Sequence, residues 1–204
     1  MFDYNARSKA TEKREARKRM KSLLKFGSIL IITFLLGNVL DTYVVSTFSI
    51  PSESMNDTLQ VNDRIAVNKL VPGVTPLQRG DVIVFQDPSN WLSAAEKPDG
   101  TGYLVKRVIA VGGDAISCCD AAGHLLLNGK PLIETYIKPG DVPSQITFNE
   151  KVPAGTVWVM GDNRSNSKDS RYEGDSKTGK FVPVKDIVGR AFLIVWPFDR
   201  FNFI

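Results

Sequence analysis

Fifteen residues, Phe26-Gly27-Ser28-Ile29-Leu30-Ile31-Ile32-Thr33-Phe34-Leu35-Leu36-Gly37-Asn38-Val39-Leu40, form an almost unbroken apolar run. A membrane-crossing helix needs about 20 mostly apolar residues. The stretch from Leu23 to Val45 reaches that length by taking in Lys25, Asn38 and Asp41. Lys25 can snorkel to the interface, and Asp41 falls near the far one, where a charge costs less than at the centre. A cleaved signal peptide is the first alternative, but the charged region before the run is very long and no A-x-A site follows. A buried core helix is the second, and the flanking cations oppose it. Nine Lys and Arg stand against three Asp and Glu in Met1–Lys25, a surplus of +6 in a chain whose net charge is +4. The basic character therefore belongs to the tail. Beside an apolar run it reads as an orientation signal rather than a nucleic-acid site. The positive-inside rule puts residues 1–25 in the cytoplasm, the span at 26–45 and residues 46–204 outside.

The remainder reads as β structure, with 43% hydrophobic residues overall to supply a core. Short β-branched runs alternate with turn signals. Arg64–Asn68, Val82–Phe85, Tyr103–Val111, Thr156–Met160 and Ile187–Trp196 are the clearest. Leu125–Leu127, Asn128-Gly129 and Lys130–Leu132 read as a hairpin, because Asn-Gly suits a type I′ turn. Asp87–Gly102 and Ser165–Lys180 are polar and read as loops. After Val45 no long amphipathic helix and no internal repeat is apparent.

Three stretches carry candidate chemistry. In Ile50-Pro51-Ser52-Glu53-Ser54-Met55-Asn56-Asp57-Thr58-Leu59, a proline fixes the local backbone and two serines sit two apart. Extended backbone sends such residues to one face. Ser52 and Ser54 can thus bring two hydroxyls into one site; the bland reading is a polar turn leaving the membrane. His124, the chain's one histidine, lies in a turn and is not an evident partner for Ser54. Lysine can replace histidine as a base when burial lowers its pKa from about 10.4. Lys106 sits in the most apolar strand, with Arg107 on the opposite face; its bland reading is an edge-strand lysine that discourages aggregation. The third stretch, Gly161–Arg171, is dense in hydroxyls and opposite charges directly after a strand. Ser165–Lys168 matches S-x-x-K and Lys177–Gly179 matches K-T-G, but both fall in one polar loop and read as chance. Cys118 and Cys119 are adjacent, leaving free thiols, a vicinal disulfide or an intermolecular bridge open. No phosphate loop, zinc spacing or dinucleotide fingerprint is present, so neither metal nor cofactor is implied.

Taken in order behind one basic-flanked span, Ile-Pro-Ser-x-Ser-Met, Tyr-x-x-Lys-Arg-x-x-x-x-Gly-Gly-Asp and Gly-Asp-Asn-Arg-x-Asn-Ser-x-Asp-Ser-Arg resemble bacterial type I signal peptidase, the S26 serine peptidases. The resemblance runs nearly the whole chain, to Val195-Trp196-Pro197. It implies a membrane-anchored, mainly β fold: a two-part antiparallel catalytic domain with a second β region inserted at about 112–153. It implies Ser54 as nucleophile, Lys106 as general base, Ser52 as oxyanion-hole hydroxyl and Ser167 as the hydroxyl orienting the amine. Asp169 and Arg171 would form a supporting ion pair, with Asp162 and Arg107 nearby. Ile50, Met55, Leu59, Leu104 and Val105 would build shallow pockets for small side chains. Three positions depart from the pattern: Asp57 where proline is frequent, Ser165 where aspartate is, and Leu104 where tyrosine is common. The implied activity is removal of signal peptides from exported preproteins at the outer face of the cytoplasmic membrane, with the lipid bilayer and the secretion translocon as partners and no nucleic acid. Two rivals share features. A self-cleaving Ser/Lys regulator needs a DNA-binding domain, for which 25 basic residues are too short. A catalytically silent, membrane-tethered β-domain binding protein has no use for Ser54, Lys106, Ser52 and Ser167 together.

Overall fold

The computed structural model describes residues 4–88, 91–92, 102–172 and 179–204. The chain divides into two compact units, Met1–Val44 and Val45–Ile204. The first is one helix, α1 (Tyr4–Tyr43). The basic tail and the apolar run are therefore a single element, although the charge boundary at residue 25 suggested two. Ala, Arg, Lys, Glu and Met are good helix formers, and the tail contains neither glycine nor proline to stop propagation. At about 1.5 Å per residue, 40 residues extend some 60 Å, twice a bilayer's hydrocarbon thickness of about 30 Å. Arg17–Tyr43 holds an 18-residue stretch apolar enough to cross a membrane, and none of that stretch is buried.

The second unit holds the strands β1 (Val45–Ser49), β2 (Arg64–Asn68), β3 (Val82–Gln86), β4 (Tyr103–Val111), β5 (Ala115–Cys118), β6 (Leu125–Leu127), β7 (Lys130–Pro131), β8 (Phe148–Lys151), β9 (Thr156–Met160), β10 (Val182–Pro183), β11 (Ile187–Trp196) and β12 (Asn202–Phe203). The larger sheet runs β1-β2-β11-β3-β4-β9-β10, with β12 beside β11. All of its pairings are antiparallel. The smaller sheet, β7-β6-β5-β8, lies within Ala115–Lys151, inside the region 112–153. Asn128 and Gly129 both take positive φ, 52° and 77°, between β6 and β7, as a type I′ turn requires.

Strand β4 is central. It pairs with β3 on one side, Ile83 opposite Lys106, and with β9 on the other. Its two faces feed different cores. Leu104 and Val108 pack with Phe85 and Trp91, while Val105 packs against Ile50, Met55, Leu59 and Val84. A half-buried strand would keep one of Lys106 and Arg107 wet; here both are buried, because both faces of β4 are covered. Ser165–Lys180 also differs from a solvated loop: Ser167, Asp169, Ser170 and Arg171 are buried. Residues 173–178, including most of the K-T-G string, lie outside the described residues, as do residues 89–90 and 93–101 of the other polar loop. Cys118 and Cys119 are joined to each other by a disulfide. His124 sits between β5 and β6, its Nδ1 3.3 Å from the Asp120 carboxylate.

Candidate active site

Leaving β1, the chain turns at Ile50–Leu59, and the turn is pinned by its own apolar residues. Ile50, Met55 and Leu59 are buried in one core cluster, so the polar residues between them are held at its edge. Ser54 is 8% exposed and Ser52 is open to solvent. Their hydroxyl oxygens lie 3.3 Å apart, the shared direction that i, i+2 spacing suggested.

Lys106 extends from β4 so that its Nζ lies 2.6 Å from Ser54 Oγ. The lysine is 3% exposed. Burial, which penalises the ammonium, lowers its pKa from 10.5 to about 8. Asp169 opposes that shift, Arg171 adds to it, and Asp162 opposes it. When the amine is neutral, the Ser54 hydroxyl can donate to its lone pair. A hydroxyl and an uncharged amine at this separation have the geometry that a nucleophile and its base require.

Two buried ion pairs frame the Ser54–Lys106 contact. Arg107 donates to both carboxylate oxygens of Asp162, Nε at 2.8 Å and Nη2 at 2.6 Å. The Thr58 hydroxyl donates to the same carboxylate, tying the serine turn to it. The Tyr136 ring covers the Arg107 guanidinium at 4.1 Å. Arg171 donates from Nε and Nη2 to Asp169 at 2.8 and 2.9 Å. Asp169 also accepts the Gly161 N–H at 3.0 Å, fixing the end of β9 beneath the serine turn.

Ser167 Oγ is buried and, among the described residues, has no hydrogen-bond partner. It lies against Gly161, where an added Cβ would overlap both Ser167 Oγ and the Ser54 carbonyl oxygen. The structure thus brings Ser167 beside the Ser54 backbone rather than bonding it to Lys106. Of the five residues expected to line pockets, Val105 is partly exposed; Ile50, Met55, Leu59 and Leu104 are buried. Leu104 belongs to a different core cluster from Ile50, Met55 and Leu59.

Sequence reasoning missed several members of this site. Gly161 opens the Gly-Asp-Asn-Arg motif, but nothing in the sequence gives it a role. Asn163 was quoted within a motif but given no role. Arg164 and Glu134 form a buried ion pair, to which the half-buried Tyr136 donates a hydrogen bond at 2.8 Å through Glu134. Nothing in local spacing links residues 134 and 164. Among the described residues, no cluster of His, Cys, Asp and Glu suited to a metal occurs.

A family profile described as "Signal peptidase, peptidase S26" matches residues 23–196. The chain belongs to this family. A signal peptidase I from Mycobacterium tuberculosis is 36% identical, over 98% of this chain and 82% of its own length. A probable signal peptidase I from Mycobacterium leprae is 35% identical, over 91% and 80%. A signal peptidase I from Leptolyngbya laminosa is 41% identical, over 78% and 72%. Within the peptidase S26 family, the serine–lysine contact above is the chemistry that needs explaining.

Proposed function

We propose that this chain is a membrane-anchored serine endopeptidase that removes signal peptides from exported preproteins with a Ser54/Lys106 dyad. The observation that carries the reading is the 2.6 Å contact between Lys106 Nζ and Ser54 Oγ, made where the amine is desolvated. Ser54 Oγ attacks the carbonyl carbon before the scissile bond as Lys106 takes its proton. The oxyanion that forms meets the Ser54 N–H and the Ser52 hydroxyl. The ammonium then protonates the leaving amine, releasing the mature protein's N-terminus and leaving an acyl-enzyme. Lys106 next deprotonates water, which attacks the ester and frees Ser54. Unlike histidine, lysine has no tautomer for a carboxylate to fix. Its remaining need is orientation, and the unpartnered Ser167 hydroxyl is suited to accept from the ammonium. Asp169–Arg171 and Asp162–Arg107 hold the scaffold, and small pockets near Val105 select small side chains before the cut.

Arg17–Tyr43 supplies the anchor in this reading, with the tail cytoplasmic and the β unit outside. Trp196, Phe198, Phe201 and Phe203 are exposed; with Phe48 they are suited to rest on the bilayer surface. Liposome binding should fall when Phe198, Phe201 and Phe203 are replaced by serine; unchanged binding would remove that role.

The test of the dyad uses the full chain in detergent and a synthetic signal-peptide substrate with small residues at the first and third positions before the cut. Ser54→Ala and Lys106→Ala should abolish cleavage. Ser52→Ala should lose about 10²–10³ in kcat, the usual effect of losing one oxyanion donor. Wild-type-like processing by Lys106→Ala at matched expression would take the lysine out of the mechanism.

A further inference from the structure

We infer that Asn163 is a positioning residue that aims the oxyanion-hole N–H of Ser54, acting through the peptide plane it shares with Glu53. The inference rests on the dyad reading above. Asn163 is 1% exposed. Its Nδ2 donates to the Glu53 carbonyl oxygen at 3.0 Å, and its backbone N–H donates to the Ser54 carbonyl oxygen at 3.1 Å. One residue therefore grips the carbonyls on both sides of the nucleophile. The Ser165 hydroxyl donates to Asn163 Oδ1 at 3.2 Å, which settles which end of the amide faces Glu53.

The consequence follows from covalent geometry. The Glu53 C=O and the Ser54 N–H belong to one planar trans unit and point in opposite directions. Fixing the carbonyl on Asn163 therefore fixes the N–H on the far side. Among the described residues that N–H meets no protein acceptor. A buried peptide donor is normally paired, and an open one at the nucleophile is the donor a tetrahedral intermediate requires.

The Glu53 carbonyl accepts a second hydrogen bond, from the Asn56 N–H at 3.0 Å. The two bonds do different things. The Asn56 bond is internal to the turn and moves with it. Asn163 follows β9, the neighbour of β4, which carries Lys106. Its bonds thus set the serine turn, and with it the donor, in the frame that holds the base. Because the Asn56 bond survives, removal of the Asn163 amide should loosen the plane without collapsing the turn.

The experiment compares the full chain in detergent with Asn163→Ala and with the nearly isosteric Asn163→Asp, which keeps the acceptor for Ser165 and loses the donor to Glu53. Readouts are kcat, KM, the pH midpoint of kcat/KM, and the affinity of a peptide aldehyde, whose Ser54 hemiacetal places an oxygen in the hole. Expected is a roughly 10- to 100-fold loss of kcat, a fraction of what deleting a donor outright removes. KM should stay put, as should the pH midpoint in Asn163→Ala, whereas the added carboxylate of Asn163→Asp favours the Lys106 ammonium and raises it; aldehyde affinity should fall by a similar factor in both. Combined with Ser52→Ala, the loss should be less than the product of the two, as for groups serving one function. Unchanged kcat and aldehyde affinity in folded Asn163→Asp would overturn the inference. So would a kcat loss in Asn163→Ala with a shifted pH midpoint and aldehyde affinity intact, since that is damage to Lys106. Cleavage surviving in Ser54→Ala would instead strike the nucleophile assignment itself, a result read independently of Asn163.

Discussion

Among the described residues, burial separates Lys106 from the other lysines. An amine held at about 8 by desolvation is mostly charged at pH 7, so activity should climb with pH as the neutral fraction grows. The expected kcat/KM of the free enzyme rises nearly tenfold per unit below pH 8 and levels above it, measured with a substrate that does not titrate in that range. A flat profile from pH 6 to 9 would exclude Lys106 as the free enzyme's base. The same depression makes a stability prediction. The unfolded chain holds the lysine proton up to about 10.5, while the folded one releases it near 8. Unfolding therefore takes up a proton in that window, and stability should rise with pH across it, by roughly 3 kcal/mol for a shift of this order. Lys106→Met should lack that rise in urea midpoints taken at pH 7 and 10. Gly161→Ala tests the approach on the other side of Ser54. Its methyl would meet Ser167 Oγ and the backbone oxygen of Ser54. Backbone cannot step aside as a side-chain tip can, so cleavage should drop by at least an order of magnitude, about the effect of a small misplacement of reacting groups. Ser54 and Lys106 stand out locally only as a serine behind Ile-Pro and a lysine inside an apolar strand, each with a bland alternative; it is the resemblance of the three motifs in order that singles them out, and the fold brings them into contact. Asn163 and Gly161 were not legible in this way, because their work consists of backbone contacts with a turn more than a hundred residues earlier.

Strands announce themselves through β-branched runs and turn residues, which explains why β2, β3, β4, β9 and β11 stand where the pattern suggests. Burial of a strand on both faces leaves no such mark. Strand β4 reads as half-buried because Lys106 and Arg107 interrupt its apolar residues, yet each is covered and each has a partner. The continuity of α1 was equally hidden: a change from charged to apolar residues marks a change of solvent, not a break in hydrogen bonding. The polar stretch after β9 misleads for a third reason. Its charges look solvated one by one, and they pair only once the fold brings Asp162 to Arg107 and Glu134 to Arg164. These pairings set a clear expectation. Arg107 and Asp162 are 9% and 0% exposed, so Arg107→Met leaves a buried carboxylate without its cation. Breaking such a pair from one side destabilises by about 3–5 kcal/mol. Arg107→Met combined with Asp162→Leu should recover much of that loss, since no uncompensated charge remains. Chemical denaturation of the two variants decides the matter; equal losses would mean that Thr58 and Tyr136, rather than the charge pair, hold this region.

Charge and hydropathy divide the molecule more sharply than its strands do. Met1–Lys25 carries a surplus of +6 and the remaining residues a deficit of −2, with the apolar length of α1 between them. The proposed orientation holds the basic flank on the cytoplasmic side and so leaves the β unit on the other, the side on which a disulfide such as Cys118–Cys119 persists. Because those two sulfurs are bonded to each other, an added cysteine would be the reactive thiol for labelling. Thr75→Cys, at an exposed position in the β unit, should react with a membrane-impermeant maleimide in intact bacterial spheroplasts. Ser8→Cys, in the basic segment, should react only after the membrane is opened. The reverse pattern would place the serine–lysine site in the cytoplasm, where a preprotein's cleavage site is not presented after export. Labelling of both positions in sealed spheroplasts would mean that α1 does not span at all. Replacing Arg14, Arg17, Lys18, Arg19 and Lys21 with glutamine should then blur the asymmetry, giving a mixed population if charge alone sets orientation. The fraction labelled from outside at Thr75→Cys would report how far the tail, rather than the folded β unit, decides which side of the membrane the enzyme serves.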